Sequence, residues 1–184
     1  MTRILLAAVA LAAFSGAADA ATTTVEFDAS TNGATPSQDP TARFTSFTLD
    51  AGSYSVTLFD GTYTALSVWS SNSGCNPAGF CDNGWFASYT IIDDAGDELL
   101  SYSSSTIRSL ATDALADALA DGPQTFTNPT DQTLYVGLFD NPLTDNRGGM
   151  SLHIEQATPV PLPAGGILAL SGLAALSFLR RRAR

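Results

Sequence analysis

Four oxygen-bearing side chains, Asp140, Thr144, Asp145 and Asn146, fall within seven residues. Carboxylate, hydroxyl and amide oxygens on one loop suit a hard cation such as calcium, which takes roughly six to eight oxygen ligands. The same stretch, 139–149, is rich in Asn, Asp and Gly, and these residues equally suit the turn of a hairpin. His153 is the only imidazole in the chain. It alternates with Leu152 and Ile154, which predicts that it shares the solvent face of a strand with Ser151 and Glu155. No G-x-S-x-G or comparable nucleophile setting accompanies it. Carboxylates are plentiful enough for glycosidase chemistry, yet no pair stands out. Trp69, Trp85 and Tyr63 could stack on a sugar or fill a core. The expectation is a protein that is not an enzyme.

The charge excludes another class of function. All eight basic residues are arginine, against 18 acidic ones, for a net charge of −10. Residues 21–163 hold 17 of the acids and only Arg43, Arg108 and Arg147, a net of −14. Such a domain repels phosphate backbones and is not a nucleic-acid binder. Cys75 and Cys81 flank five residues in a loop rich in Gly, Pro and Asn. In an exported chain this spacing predicts a disulfide, worth roughly 2–3 kcal/mol by loop closure. The spacing is not C-x-x-C, so no redox centre is expected.

The elements that would position these residues are mostly strands. Tyr54, Val56 and Leu58 share one face, Leu134, Val136 and Leu138 another, and Met150, Leu152 and Ile154 a third, with Ser, Thr and acidic residues between them. Further strands are expected at 44–49, 62–69, 85–92, 98–102 and 125–126. Turn signals separate them: Asp50-Ala51-Gly52, Asp60-Gly61, Asp93-Asp94-Ala95-Gly96 and Asn128-Pro129. Eight or so short strands imply a mostly β chain, an antiparallel β-sandwich of jelly-roll kind. One short helix is expected at about 106–121, where Ile107, Leu110, Ala111, Ala114, Leu115, Ala118 and Leu119 recur at helical spacing. Gly122-Pro123 ends it, and Asp113, Asp117 and Asp121 would face solvent.

The two ends direct the chain to a membrane. Arg3, an apolar run over 4–14, Ser15-Gly16 and the small-x-small triplet Ala18-Asp19-Ala20 predict a helical signal peptide over 1–20, cut by signal peptidase after Ala20 or one residue later. At the other end stand Val160-Pro161-Leu162-Pro163-Ala164, an apolar stretch to Leu179, and Arg180, Arg181, Arg182 and Arg184. Residues 165–179 would span about 22 Å as a helix, short for a hydrocarbon core of about 30 Å. Local thinning and arginine snorkelling would let it insert as a transmembrane helix, with the arginines as a cytoplasmic stop. Three parts follow, 1–20, an ectodomain 21–157 and 158–184. The three-part tail resembles the PEP-CTERM sorting signal in its VPLPA variant. That resemblance implies an exosortase-type membrane protease as partner, cleavage near the proline motif and delivery to the envelope of a Gram-negative bacterium. Ectodomains of this family vary widely, and many belong to exopolysaccharide or biofilm settings.

The 139–155 region also resembles the end of bacterial calcium-dependent galactose-binding lectins, which are β-sandwiches. In them an aspartate ends one strand, and an acid/amide pair precedes a small-residue turn into the last strand. Asp140 matches the first, and Asp145 with Asn146 the pair. The loop is shorter here, and Arg147 is an unusual neighbour for a cation. Two readings of function result. One is an exported envelope or extracellular-matrix protein with a structural or adhesive, non-catalytic β-sandwich. The other is a calcium-assisted carbohydrate-binding module whose partner is extracellular polysaccharide.

Overall fold

A computed structural model describes residues 21–68 and 84–157. The signal peptide with Ala18 and Ala20, Trp69, the Cys75 and Cys81 pair, and the tail from Val160 to Arg184 lie outside the described residues. Among the described residues, no helix is long and apolar enough to cross a membrane.

Among the described residues the chain is mostly β, with two five-stranded sheets and one α-helix. In the first sheet, β10 (Arg147–Gln156) lies between β1 (Thr22–Asp28) and β4 (Gly52–Leu58), and β8 (Gln124–Asn128) pairs with β4. The two-residue strand β5 (Leu66–Ser67) pairs with the start of β10. In the second sheet, β9 (Gln132–Phe139) is central. It pairs with β3 (Thr45–Leu49) and with β6 (Ser88–Ile92), which in turn pairs with β7 (Glu98–Ser103). These pairings are antiparallel; β2 (Gly33–Ala34) joins the end of β9 in parallel.

Alternation decides which side chains go inward. Val25 and Phe27, Tyr54, Val56 and Leu58, and Met150, Leu152 and Ile154 come from the first sheet. They share one buried cluster with Tyr89 and Ile91, and with Leu134, Val136 and Leu138, from the second. Fully burying one such aliphatic side chain contributes about 1.5–3 kcal/mol. The three faces expected from sequence are all in this core. Cross-strand neighbours Tyr54 and Phe126 stack with centroids 5.6 Å apart, and the Tyr54 hydroxyl donates to the Asp50 carbonyl at 2.9 Å. Strand β1 was not among the expected strands: its run of three threonines hides the Val25/Phe27 alternation.

Three expectations are corrected. The helix α1 spans Ala111–Ala120, five residues shorter at its start than periodicity suggests. The reason is that Arg108 exchanges both backbone hydrogen bonds with Trp85, which holds the preceding segment extended. Only Ala114, Leu115 and Ala118 of α1 are buried, and Ile107, Leu110 and Leu119 are exposed. Nor does the aspartate row simply face water: Asp117 forms a two-point ion pair with Arg108, and Asp121 accepts from the Tyr102 hydroxyl at 2.8 Å. Finally, the strand expected over 62–69 is reduced to Leu66–Ser67 among the described residues. Residues 59–63 instead fold over the outer face of the first sheet, where Thr62 N–H donates to Glu26 and Tyr63 N–H to Ser151.

Candidate functional site

The loop from β9 to β10 carries all four expected ligands. Its start is fixed by Asp140 N–H donating to the Ala34 carbonyl at 3.1 Å, which extends the β2–β9 pairing. A single 3-10 turn, Leu143–Asp145, follows. Its end is fixed twice by Asn146, whose N–H donates to Leu143 O and whose side-chain Nδ2 donates to Ala29 O at 3.1 Å. The loop is thus held against the chain leaving β1.

This anchoring buries oxygens without satisfying them. Asp140 Oδ2, Asp145 Oδ1 and Asn146 Oδ1 are all buried with no hydrogen-bond partner. Buried acceptors in folded proteins are almost always paired, and an orphan costs about 1–3 kcal/mol. Burial pushes the Asp140 carboxyl above its ordinary range and the nearby Asp145 charge adds to this, against the Asn141 N–H and Asn146 amide that favour the anion. One unpartnered oxygen from each of two carboxylates and one amide, all within seven residues of a single loop, is a donor set whose chemistry suits calcium. Among the described residues no group of three or more His, Cys, Asp or Glu side chains is placed to hold a metal, so a cation at this loop would rest on two carboxylates and the Asn146 amide oxygen. Thr144, the fourth expected ligand, is exposed and lines the neighbouring cleft instead.

That cleft has a volume of about 390 Å³. Residues 141–144 form one wall; Ser30, Thr35, Gln38 and Arg43 form the other. The second wall is built around Asn32. Its Oδ1 accepts from Asp28 N–H at 3.0 Å and its Nδ2 donates to Arg43 O at 3.2 Å, while its carbonyl accepts from Leu138 N–H. Gly137 permits this approach, since a Cβ there would sit 2.3 Å from Asn32 O and 2.4 Å from Phe44 Cδ1. Arg43 Nε donates to Gly33 O at 2.5 Å, which orients the guanidinium. Sequence reasoning missed Asn32, Arg43 and Gly137 as parts of a site. The only local signal was the turn-forming run Thr31-Asn32-Gly33, which says nothing about a partner a hundred residues away.

His153 does share the outer face of β10 with Ser151 and Glu155, but that face is not open. Ser151 is fully buried beneath residues 59–63; its hydroxyl donates to Glu26 Oε1 at 2.9 Å and accepts from Tyr63 N–H. The His153 ring is half-buried and stacks on Phe59 at 3.8 Å and 5°, with Nδ1 3.1 Å from Thr24 Oγ1. Ser151 therefore spends its hydroxyl on Glu26 rather than on the imidazole. Bonds from the Thr62 hydroxyl and N–H, then Ser151, hold Glu26 below its ordinary range. Of the aromatic residues considered for sugar stacking, Tyr63 donates to Asp28 Oδ2 at 3.1 Å, and Trp85 lies under the Arg147 guanidinium at 5.3 Å. Neither belongs to the cleft. Arg147, the expected awkward neighbour, is thus turned onto an indole ring rather than onto Asp145, and its Nε and Nη2 are buried without a hydrogen-bond partner.

Comparison with protein-family models, with curated proteins and with solved structures finds no match to this chain.

Proposed function

We propose that this chain is an exported cell-envelope or extracellular-matrix protein whose jelly-roll-like β-sandwich is a non-catalytic adhesive module. The module binds calcium through Asp140, Asp145 and Asn146 and holds extracellular polysaccharide in the adjoining cleft. One observation supports the binding reading over a purely structural one: three oxygens of one loop are buried without partners, and the same loop walls a cleft that Ser30, Thr35, Gln38, Asn141 and Thr144 help to line. A hairpin present only for its turn geometry has no reason to bury carboxylate oxygens that lack hydrogen-bond partners. When bound, calcium would supply positive charge and open coordination positions for sugar hydroxyls. The chain's own residues hold the loop in place through Asn146 and the β2–β9 pairing.

Export and sorting rest on the residues at the two ends: the signal-like start, the Val160-Pro161-Leu162-Pro163-Ala164 motif and the terminal arginines. In this reading signal peptidase and an exosortase-type protease process the chain, and the C-terminal apolar helix is a membrane-spanning intermediate. Mass spectrometry of protein from native envelopes should find a species from about residue 21 to about residue 163. Intact Met1 and Arg184 ends on that protein would remove the sorting part. For the binding part, the purified chain should be retained on a column of the host's extracellular polysaccharide in millimolar calcium and released by chelator. Retention unaffected by chelator, or none in either buffer, would refute it.

A further inference from the structure

We propose that the cleft takes an acidic saccharide, with Arg43 receiving the carboxylate of a uronic acid residue. This rests on the carbohydrate-binding reading and adds the class of sugar. Among the residues lining the cleft, Arg43 is the only charged one, and it is positive in a domain whose net charge is −14. The other two arginines of the described residues are committed elsewhere: Arg108 to the ion pair with Asp117, Arg147 to the face of Trp85. Arg43 pairs with no carboxylate among the described residues. Its Nε is tied to the Gly33 carbonyl, and its Nη groups make no hydrogen bond within the described residues.

Asp39, the nearest acid along the chain, and Asp28, which precedes the Ser30 of the cleft wall, already accept hydrogen bonds. Asp39 accepts from Thr41 N–H and from its hydroxyl, and Asp28 accepts from Ser30 and from Tyr63. A guanidinium with free terminal nitrogens matches a carboxylate in a two-point, charge-assisted pair. Ser30, Thr35, Gln38, Asn141 and Thr144 surround it with hydroxyl and amide groups suited to the remaining sugar hydroxyls. The net negative charge does not forbid an anionic ligand at this spot. In physiological salt the screening length is about 8 Å, so acidic groups elsewhere on the domain contribute little to the field at Arg43.

Isothermal titration of the full-length chain in detergent and 1 mM calcium tests this with a short oligogalacturonate and its carboxyl-reduced, neutral counterpart of equal length. The wild type should bind the uronate about tenfold or more tightly than the neutral sugar. Arg43→Gln should abolish the preference, so that uronate and neutral sugar bind this variant equally. Arg43→Lys, which keeps the charge but not the fork, should retain a reduced preference; it supplies the test if the melting curve shows that Arg43→Gln fails to fold. Equal binding of the two sugars by the wild type, or an undiminished preference in either variant, overturns the role of Arg43 and leaves carbohydrate binding intact. Binding of neither sugar by the wild type overturns both.

Discussion

Replacing Asp140 by Asn should move the stability of this protein in opposite directions with and without calcium. Without calcium, Asp140 Oδ2 is a buried charged acceptor with no partner, next to the Asp145 carboxylate. Asn keeps the size and removes the charge. Orphan buried polar groups cost about 1–3 kcal/mol, and the amide recovers only part of that, so a gain of about 1 kcal/mol is expected. For a folded unit of this size that is a rise of about 3–5 °C in Tm. With calcium at about a hundred times its Kd, the wild type gains about 2.7 kcal/mol, or roughly 10 °C, because the ion binds only the folded state. The variant, having lost a ligand, should gain almost nothing. The order of the two melting temperatures therefore reverses between chelator and calcium.

The same group sets a pH signature. Burial, with help from Asp145, holds Asp140 above the ordinary aspartate value of 3.8. The folded state then binds that proton more readily than the unfolded chain. Its penalty is fully present above the folded value and disappears as pH falls toward 3.8. Asp140→Asn should flatten this part of the stability curve. Glu26 and Asp28 have the opposite sign: hydrogen bonds hold both below their ordinary values, for Asp28 despite burial, its largest opposing influence. Their stabilisation is lost only as pH falls further, through their depressed folded values. Differential scanning calorimetry across pH 2–7, in chelator and in calcium, reads all of this. A variant less stable than wild type in chelator, or a calcium shift equal in both proteins, would refute the placement of a cation at Asp140.

Two further substitutions test the frame around the site. Asn128 is 1% exposed, donates to the Leu49 and Asp50 carbonyls at 3.1 and 2.9 Å, and accepts from Gln132 at 2.7 Å. Asn128→Ala should cost about 2–3 kcal/mol in urea unfolding by stranding those carbonyls, and a cost below about 0.5 kcal/mol would show the two turns are not joined there. Leu152 is fully buried on the central strand β10, opposite Val25 on one side and Leu58 on the other. Leu152→Ala should lower the unfolding free energy by about 2–5 kcal/mol without changing calcium affinity in the surviving folded protein. Altered affinity would mean that the site and the core are coupled.

The strand faces were legible because alternation is local. A side chain on one face of a strand is followed two residues later by another on the same face, so Tyr54, Val56 and Leu58 announced themselves. The start of the helix was not legible, because the pattern over 106–110 is the same whether or not Trp85 captures the Arg108 backbone. His153 was placed on the correct face, yet no pattern in the sequence says that residues 59–63 return to cover it.

The ligand loop divides in the same way. Its residue types and spacing were visible at once, since they lie within one short stretch. Whether their oxygens are exposed turn groups or buried and unpaired depends on contacts with Ala29 and Ala34, more than a hundred residues earlier. The second wall of the cleft, with Arg43, reaches the loop only because β2 pairs in parallel with the end of β9 and Gly137 lets Asn32 approach. Sequence by itself determined the charge, the strand alternation and the candidate ligands, because each is a property of neighbouring residues. The burial of those ligand oxygens, and the placing of the Arg43 guanidinium in the cleft beside the loop, were decided by tertiary structure, because desolvation and long-range pairing exist only once distant segments meet.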